Sequence, residues 1–265
     1  MVENLLQSNF SGGRPMQSLL GKVILITGAS SGIGLATANL VASRGAKVII
    51  NFHSNEKGAM EAVKLIREKG GEVIAIQADV TKKEEVKSMV DQAISSFNTI
   101  DVLVNNAGGG IRQSSFMDMS EELWEETFRL NVNSVLLCSQ AVLKHMIPKK
   151  NGKIINVSSA AARIGGAGES IHYASTKGAV NTLTIGMSRE LIEYGIIVNG
   201  VAPGMVETPF HEKFAPNDNR LERMVSSVPI KRAASPMEIA EVIAFLSSDA
   251  SNYILGEIIN VSGGR

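Results

Sequence analysis

Tyr173 and Lys177 are the residues of this sequence whose types and spacing most directly indicate chemistry. They lie four positions apart in the segment Tyr-Ala-Ser-Thr-Lys, so in a helix both side chains would share one face. A nearby ammonium group favours the phenolate and lowers a tyrosine pKa from its usual value of about 10. Such a tyrosine can act as a general acid or base for a carbonyl–alcohol pair. The spacing is common by chance, so it indicates catalysis only together with other features.

Hydroxyl, amide and carboxylate side chains end several apolar runs. Ser158 and Ser159 end one run, where a hydroxyl could hold a carbonyl oxygen or simply form a turn. Asn105 and Asn106 end another and are either turn formers or ligand contacts. Asp79 ends a third, as a helix-entry residue or as an acceptor for an adenine amino group. In parallel sheets ligands bind at the carboxyl ends of strands, where all of these residues would lie.

A glycine-containing segment at residues 27–34, Thr-Gly-Ala-Ser-Ser-Gly-Ile-Gly, separates the first predicted strand from the first predicted helix. Glycines there would let the backbone approach a pyrophosphate, which a helix N-terminus stabilises through its N–H groups. The spacing differs from the commonest dinucleotide-binding motif. Alone, the segment therefore predicts either a nucleotide site or a tight turn.

Apolar β-branched runs alternate with amphipathic segments, which predicts a doubly wound parallel sheet with helices on both faces, in a single α/β domain. Thr81, with Glu84 three residues later, is expected to cap one helix, and Ser120 to precede a long one. The predicted strands are residues 22–27, 47–51, 72–78, 101–105, 153–158, 195–202 and 257–261. The principal predicted helices are 32–42, 55–69, about 120–147, 173–194 and 236–248.

The composition of the 265 residues argues against several classes of protein. Lys and Arg total 26, as do Asp and Glu, so no net charge favours nucleic acid or anionic membranes as partners. No apolar run is long enough for a membrane span, and residues 1–19 read as a loose N-terminal extension without a secretory layout. Cys138 is the sole cysteine, which fits a reducing cytosol, and the four histidines lack metal-ligand spacing, so no metal is expected.

Five motifs occur in an order that is far more specific than any one of them. They are the glycine segment at 27–34, Asn-Asn-Ala-Gly at 105–108, a serine ending the fifth strand, the segment 173–177, and Pro-Gly at 203–204. Together they resemble the short-chain dehydrogenase/reductase family in its single-domain form, over residues 20–265. The resemblance implies a Rossmann-like, seven-stranded catalytic domain that transfers hydride between a nicotinamide dinucleotide and its substrate.

The resemblance also implies roles at matching positions. Tyr173 would donate or accept the proton, and Lys177 would bind the nicotinamide ribose and lower the tyrosine pKa. Ser159 would orient the substrate. Ser158 is the alternative, because the segment between Ser159 and Tyr173 is one residue longer than usual. Asn131 matches the asparagine that holds a water in the proton relay, and its near neighbour at position 133 is the less favoured claimant.

The end of the second strand indicates which dinucleotide would bind. A carboxylate there binds the ribose 2′-hydroxyl of NAD and repels the 2′-phosphate of NADP, but this chain has Asn51, Phe52, His53 and Ser54. NADP is therefore favoured over NAD, although Ser31 stands where many NADP-preferring relatives carry a basic residue, and use of both stays open. The residues expected to contact the cofactor are Gly28, Ser30, Ser31, Gly32, Ile33, Gly34, Asn51, His53, Ser54, Asp79, Val80, Asn105, Ala107, Gly108, Tyr173, Lys177, Pro203, Gly204, Val206 and Thr208.

The predicted function is that of a cytoplasmic NAD(P)-dependent oxidoreductase that interconverts a ketone or aldehyde with an alcohol. A narrower alternative is a 3-oxoacyl-thioester reductase acting on acyl carrier protein, and a non-enzymatic alternative is a dinucleotide-sensing binding protein. Residues 205–232 are expected to form a substrate lid. The resemblance further implies a homotetramer, with the helices around 120–146 and 173–193 packing across two-fold axes.

Overall fold

The computed structural model describes residues 19–214 and 220–265, and a seven-stranded sheet lies at its centre. The strands are β1 (Val23–Ile26), β2 (Lys47–Phe52), β3 (Val73–Gln77), β4 (Val102–Asn105), β5 (Gly152–Val157), β6 (Ile196–Pro203) and β7 (Ile258–Val261). Their order is β3-β2-β1-β4-β5-β6-β7, and every neighbouring pair is parallel. The predicted fold class is confirmed.

Helices cover both faces of this sheet. They are α1 (Gly32–Ser43), α2 (Glu56–Glu68), α3 (Lys83–Phe97), α4 (Glu121–Phe128), α5 (Ser134–Met146), α6 (Ala161–Ile164), α7 (Ile171–Leu191), α8 (Phe210–Phe214), α9 (Arg220–Val225) and α10 (Pro236–Ser247). Within the described ranges, none of them combines the length and apolar character needed to cross a bilayer.

Strand β1 shows how the sequence builds two cores. Successive side chains of a strand point to opposite faces. Ile24 and Ile26 pack into the core that includes residues of α1, α2 and α10, whereas Val23 and Leu25 pack into the core that includes residues of α3 and α5. All four side chains are buried, which explains why the strand reads as a continuous apolar run.

The order of the strands creates a crevice in the middle of the sheet. The chain runs outward from β1 to β3 and then crosses to β4 on the other side of β1. Helices therefore leave β1 and β4 in opposite directions, and the carboxyl ends of these two strands flank a gap. After β6, Val206 pairs with Ala234, and the Glu207 N–H donates to the Ala234 carbonyl at 3.0 Å. This pairing closes the base of the predicted lid.

The long helix predicted over residues 120–147 is interrupted. Ser120 precedes α4, and its hydroxyl accepts a hydrogen bond from the Leu123 N–H at 3.3 Å. However, α4 and α5 are joined by a π-helical segment, Arg129–Asn133. The wider turn of a π-helix changes which side chains face inward, and such segments are frequent at functional sites. Apolar periodicity does not reveal it, because the buried residues at this point, Thr127, Asn131 and Ser134, are polar.

Two predictions at element ends are wrong. Thr81 does not cap α3, because its hydroxyl donates instead to the Asp79 carboxylate at 2.7 Å. Leu19, assigned to the N-terminal extension, is fully buried, and its N–H donates to the Arg44 carbonyl at 3.2 Å. Residues 1–18 lie outside the described residues, so the loose extension stays a prediction.

Candidate active site

A cavity of about 500 Å³ opens at the carboxyl edge of the sheet. Its walls come from the segments that follow β1, β2, β4, β5 and β6, together with α7 and the lid. The predicted site residues that line it are Gly28, Ser30, Ser31, Gly32, Ile33, His53, Ser54, Ala107, Gly108, Ser159, Tyr173, Lys177, Pro203, Gly204, Val206 and Thr208. The others, Gly34, Asn51, Asp79, Val80, Asn105 and Asn131, are not on its wall.

The loop after β1 lies tightly against the segment after β4. Gly28 has a φ of 62°, and a Cβ there would lie 3.0 Å from the Cα of Ala107. A Cβ at Gly34 would lie 2.5 Å from the Nδ2 of Asn106. Ser31 precedes α1 without a side-chain cap. The first N–H groups of α1 are therefore available to an anionic group in the cavity.

Two amide side chains hold this loop from behind. The Gly28 N–H donates to the Oδ1 of buried Asn51 at 3.1 Å, and the Nδ2 of Asn51 donates to the Ala78 carbonyl at 3.0 Å. The predicted cofactor contact by Asn51 is therefore corrected to a positioning role, because its polar atoms are used inside the protein. The Nδ2 of Asn106 donates to the Thr27 carbonyl at 2.8 Å. Asn106 was not among the predicted cofactor contacts. The adjacent pair of asparagines at the end of β4 was the sequence feature that could have identified it as a residue of the site.

Asp79 is likewise engaged within the protein. Its Oδ1 accepts hydrogen bonds from the N–H and the hydroxyl of Thr81 at 2.9 and 2.7 Å. Partial burial acts to raise the pKa of this carboxyl. The hydrogen bonds from Thr81 and the charges of His53 and Lys82 outweigh that effect and hold the pKa below its usual value. Asp79 and buried Val80 are not on the cavity wall. The adenine contact expected of Asp79 and the cofactor contact expected of Val80 stay predictions.

The end of β2 contributes a polar rim to the cavity. His53 and Ser54 are exposed and line it, as predicted. Asn55 lines it too, and its Nδ2 donates to the Ser30 carbonyl at 2.9 Å while its Oδ1 caps α2. Asn55 therefore joins this rim to the glycine loop. Asn55 was not among the predicted site residues. Its position as the N-cap of the helix that follows β2 was the sequence feature that could have indicated it.

Tyr173 and Lys177 lie one turn apart on α7, and both line the cavity. The Nζ of Lys177 is 5.6 Å from the centroid of the Tyr173 ring. It donates to the carbonyl of Val157, at the end of β5, at 2.8 Å. Burial lowers the pKa of Lys177 to about 8, so the side chain is still largely charged at neutral pH. The phenol therefore has a cation beside it, which favours its ionised form.

The two serines after β5 use their hydroxyl groups differently. Ser158 is buried, and its hydroxyl donates to the Lys177 carbonyl at 3.2 Å. The Oγ of Ser159 accepts from the Ala161 N–H at 3.1 Å. Accepting this bond leaves the hydroxyl proton of Ser159 available for an oxygen in the cavity. Both serines line the cavity, and the role of Ser159 in orienting the substrate stays a prediction.

Asn131 lies in the π-helical segment and is fully buried. Its Oδ1 accepts from the Gly109 N–H at 3.0 Å, and its Nδ2 donates to the carbonyls of Gly109 at 2.7 Å and Thr127 at 2.9 Å. A Cβ at Gly108 would lie 2.6 Å from the Oδ1 of Asn131 and 3.2 Å from the Nζ of Lys177. Asn131 therefore lies close to Lys177 but holds the loop after β4, and its part in a proton relay stays a prediction.

Asn105 is part of a buried polar network behind the cavity. Its Nδ2 donates to the Oδ1 of Asn156 at 2.9 Å and to the hydroxyl of Ser139 at 3.2 Å. The Nδ2 of Asn156 donates in turn to the hydroxyl of Thr184 at 2.9 Å. The network connects β4, β5, α5 and α7. The side-chain amide of Asn105 serves this network, and the cofactor contact expected of this residue stays a prediction.

The segment after β6 lies over the glycine loop. A Cβ at Gly204 would lie 2.8 Å from the Cα of Ser262, so a larger residue there would displace the backbone. Farther along, the Cγ2 of Thr208 would lie 3.3 Å from a Cβ at Gly32. Val206 is buried between these positions. The start of the lid thus faces the loop that begins α1.

His172, next to Tyr173, supports the part of the cavity wall that is formed by the loop after β4. It is fully buried, and its Nε2–H donates to the carbonyls of Gly110 at 2.9 Å and Arg112 at 3.1 Å. Gly109, the preceding residue of the same loop, is held by Asn131. His172 therefore anchors this loop from the side of α7.

Comparisons with known proteins agree with this arrangement. A family model described as enoyl-(acyl carrier protein) reductase matches residues 28–265. The 3-oxoacyl-[acyl-carrier-protein] reductase of Synechocystis sp. is 39% identical over 250 residues, which cover 94% of this chain and 98% of that protein. The crystal structure of gox2181 matches with a TM-score of 0.89 and 30% identity over 94% of this chain and 97% of its own. Levodione reductase matches with a TM-score of 0.87 and 32% identity over 92% and 97%. The chain belongs to the short-chain dehydrogenase/reductase family of NAD(P)-dependent oxidoreductases, which act on CH–OH and keto groups.

Proposed function

We propose that this protein reduces a ketone to a secondary alcohol, with Tyr173 donating the proton to the carbonyl oxygen. The observation that carries the proposal is the pair formed by Tyr173 and the buried cation of Lys177, on one wall with Ser159. The hydroxyl of Ser159 donates a hydrogen bond to the carbonyl oxygen and orients it toward the phenol. In the reverse direction, Tyr173 is the general base for the alcohol.

The cavity fits a nicotinamide dinucleotide. Neighbouring atoms leave no room for a Cβ at Gly28 or Gly34, so the glycine loop lies close against the segment after β4. The first turn of α1 has no side-chain cap, so its N–H groups can bind a pyrophosphate. The ammonium of Lys177 would bind the nicotinamide ribose, and Val206 and Thr208 would close over the nicotinamide. When bound, the cofactor supplies the hydride to the carbonyl carbon.

The preferred cofactor is NADPH. No carboxylate ends β2 to bind a ribose 2′-hydroxyl: Asn51 is buried there, and His53 and Ser54 form the exposed rim. A 2′-phosphate at this rim would meet the imidazole of His53 and the hydroxyl of Ser54. The rim lacks an arginine, so the preference is moderate and NADH is also used.

A 3-oxoacyl-[acyl-carrier-protein] is the second candidate substrate. The name of the Synechocystis relative favours it, and that protein aligns with almost the whole chain. The reaction at Tyr173 would be the same, because the thioester bears a ketone at its third carbon.

The protein acts as a cytoplasmic homotetramer. Apolar side chains are partly exposed on the helices expected at the two-fold axes: Trp124 on α4, Leu136 on α5 and Ile185 on α7. Burying them against other copies would remove apolar surface from water. Cys138, in α5, is buried, and burial raises the pKa of its thiol to about 12, as suits a reduced packing residue. Light scattering that gives the mass of one chain would contradict the tetramer.

Titration with NADPH and with NADH, followed by nicotinamide fluorescence, tests the cofactor part of this proposal. We expect both to bind, NADPH more tightly, and NADPH to be consumed when a simple ketone or an acetoacetyl thioester is added. Tighter binding of NADH would contradict the NADPH preference inferred from the end of β2. Binding of neither dinucleotide would contradict the proposed reaction itself.

A further inference from the structure

Two phenylalanines of the lid lie above the proposed proton donor. Phe210 begins α8 and Phe214 ends it, so both project from the same face of this single helical turn. Their rings are stacked, with centroids 5.5 Å apart and an interplanar angle of 13°. The ring of Phe210 lies 5.6 Å from that of Tyr173. The region next to the phenol is therefore walled by aromatic rings on the lid side.

Phe214 is held in a site that depends on a glycine. It is almost fully buried, and its ring lies 6.4 Å from the ring of His172. A Cβ at Gly110 would lie 2.5 Å from the Cε2 of Phe214, so only glycine leaves room for the ring in this position. His172 in turn anchors Gly110 through its carbonyl. Phe214 is thus fixed against the loop after β4, and Phe210 is fixed by stacking on Phe214.

The lid offers little to a substrate hydroxyl. Among the lid residues that the structure describes, Thr208 and His211 are polar and line the cavity, and both direct a polar atom at the Val206 carbonyl, at 3.5 and 3.0 Å. Glu169 lines the cavity outside the lid, and its carboxylate accepts a hydrogen bond from Gln113 at 3.2 Å and pairs with Arg223 at 3.4 Å. The polar side chains around the lid are therefore already engaged within the protein.

Methionines extend the apolar surface beyond the two rings. Met205 and Met224 line the cavity and belong to one apolar cluster with Val228 and Ala233. A hydrocarbon group on the substrate would therefore find apolar partners on the lid side, whereas a hydroxyl placed against the phenylalanine and methionine side chains would lose its water without gaining a hydrogen bond from them.

We propose that Phe210 and Phe214 form an aromatic subsite that selects ketones bearing a hydrocarbon substituent over polyhydroxylated ones. This inference rests on the proposed ketone reduction. Phe210 is the specificity-determining residue, because it lies between the phenol and the rest of the lid. Phe214 is a positioning residue that acts through Phe210.

A matched pair of ketones tests this subsite. Cyclohexanone and 4-hydroxycyclohexanone share the same ring and carbonyl and differ by one distant hydroxyl. We expect kcat/KM with NADPH to be about 10-fold or more higher for cyclohexanone, since an apolar pocket disfavours an added hydroxyl by a factor of this order. In Phe210→Ala this ratio falls toward one, with the Kd for NADPH unchanged. The matched control is Phe116→Ala, which removes an exposed ring that does not line the cavity and should keep the ratio of the wild type.

A second variant makes the test independent of the Phe210 substitution. Gly110→Ala displaces the Phe214 ring and should lower the ratio in the same way while both phenylalanines are kept. Equal or better use of the hydroxylated ketone by the wild type would overturn the subsite and leave the reductase function standing, as would an unchanged ratio in Phe210→Ala. Reduction of neither these ketones nor an acetoacetyl thioester, despite NADPH binding, would overturn both.

Discussion

Ser158 and Ser159 are neighbours in sequence, yet their hydroxyl groups do different work. Ser158 donates to the Lys177 carbonyl, whereas Ser159 accepts from the Ala161 N–H and keeps its own proton for the cavity. The family resemblance left both serines open, because the segment leading to Tyr173 is one residue longer than usual. Hydrogen-bond direction, which depends on backbone positions after β5, is what separates them.

Replacing each serine by alanine is expected to give two distinct outcomes. Ser159→Ala removes a donor to the carbonyl oxygen, so kcat/KM should fall about 10²- to 10³-fold with no change in NADPH affinity. Ser158→Ala removes a buried hydrogen bond, so its main effect should be a loss of about 1 kcal/mol in the free energy of unfolding. Steady-state kinetics and urea denaturation of both variants provide the comparison. A larger loss of kcat/KM in Ser158→Ala than in Ser159→Ala would contradict the assignment.

At the scale of elements, the glycine loop owes its position to contacts that a side chain would destroy. Gly28→Ala would place a Cβ 3.0 Å from the Cα of Ala107 and also force a non-glycine residue to a φ of 62°. We expect the NADPH Kd to rise by at least about 10-fold, as a loss of about 1–2 kcal/mol implies. Gly70→Ala is the control, since Gly70 also has a positive φ, of 81°, with no atom within 4 Å of a Cβ.

The control separates backbone strain from loss of the site. Gly70→Ala should lower the free energy of unfolding by about 1–2 kcal/mol and leave NADPH binding unchanged. If both variants bind NADPH as the wild type does, the loop does not hold the cofactor. If both lose binding equally, the effect at Gly28 is general destabilisation.

Periodicity and turn residues predicted the elements well, because they are local signals. The strands β1 to β7 fall within a residue or two of their predicted positions, and α7 ends before Gly195, whose φ is 72°, as the glycine indicated. The π-helical segment was missed because the buried positions around it, Thr127, Asn131 and Ser134, are polar, so apolar spacing carries no signal there. It is also the segment that places Asn131 beside the loop after β4.

The sequence predicted which residues gather at the site better than it predicted which way their side chains face. Motif order identified which residues gather at the carboxyl edge, and Tyr173, Lys177 and Ser159 do line one cavity. It did not reveal which amides face inward. Asn51 and Asn105 are used in internal hydrogen bonds, which depend on the register between strands that are distant in sequence.

At the scale of the whole molecule, the active site lowers stability near neutral pH. Burial lowers the pKa of Lys177 to about 8, below the value of about 10.4 of an unfolded lysine. Between these values the unfolded chain binds more protons than the folded protein, so the contribution of Lys177 to stability rises with pH. Below pH 8 both states are protonated and the full cost of burying the charge, about 3 kcal/mol at most, is present.

Lys177→Met should therefore stabilise the protein at pH 7 and abolish its activity. The stability advantage over the wild type is expected to shrink as pH rises from about 8 to 10.4, as measured by urea denaturation at fixed protein concentration. Lys57→Met, at an exposed position of α2, is the control and should show no such dependence. A constant difference between Lys177→Met and the wild type across this range would argue against a depressed lysine pKa.

The central claim is that Tyr173 transfers the proton in a ketone reduction, and Tyr173→Phe tests it most directly. This change removes the phenolic hydroxyl and keeps the ring that packs against Phe210. The measurement is NADPH-dependent reduction of cyclohexanone, with the NADPH Kd determined on the same preparation. We predict that kcat/KM falls by at least about 10²-fold, the usual contribution of a general acid, while the Kd stays unchanged. Activity within a few-fold of the wild type would contradict the account.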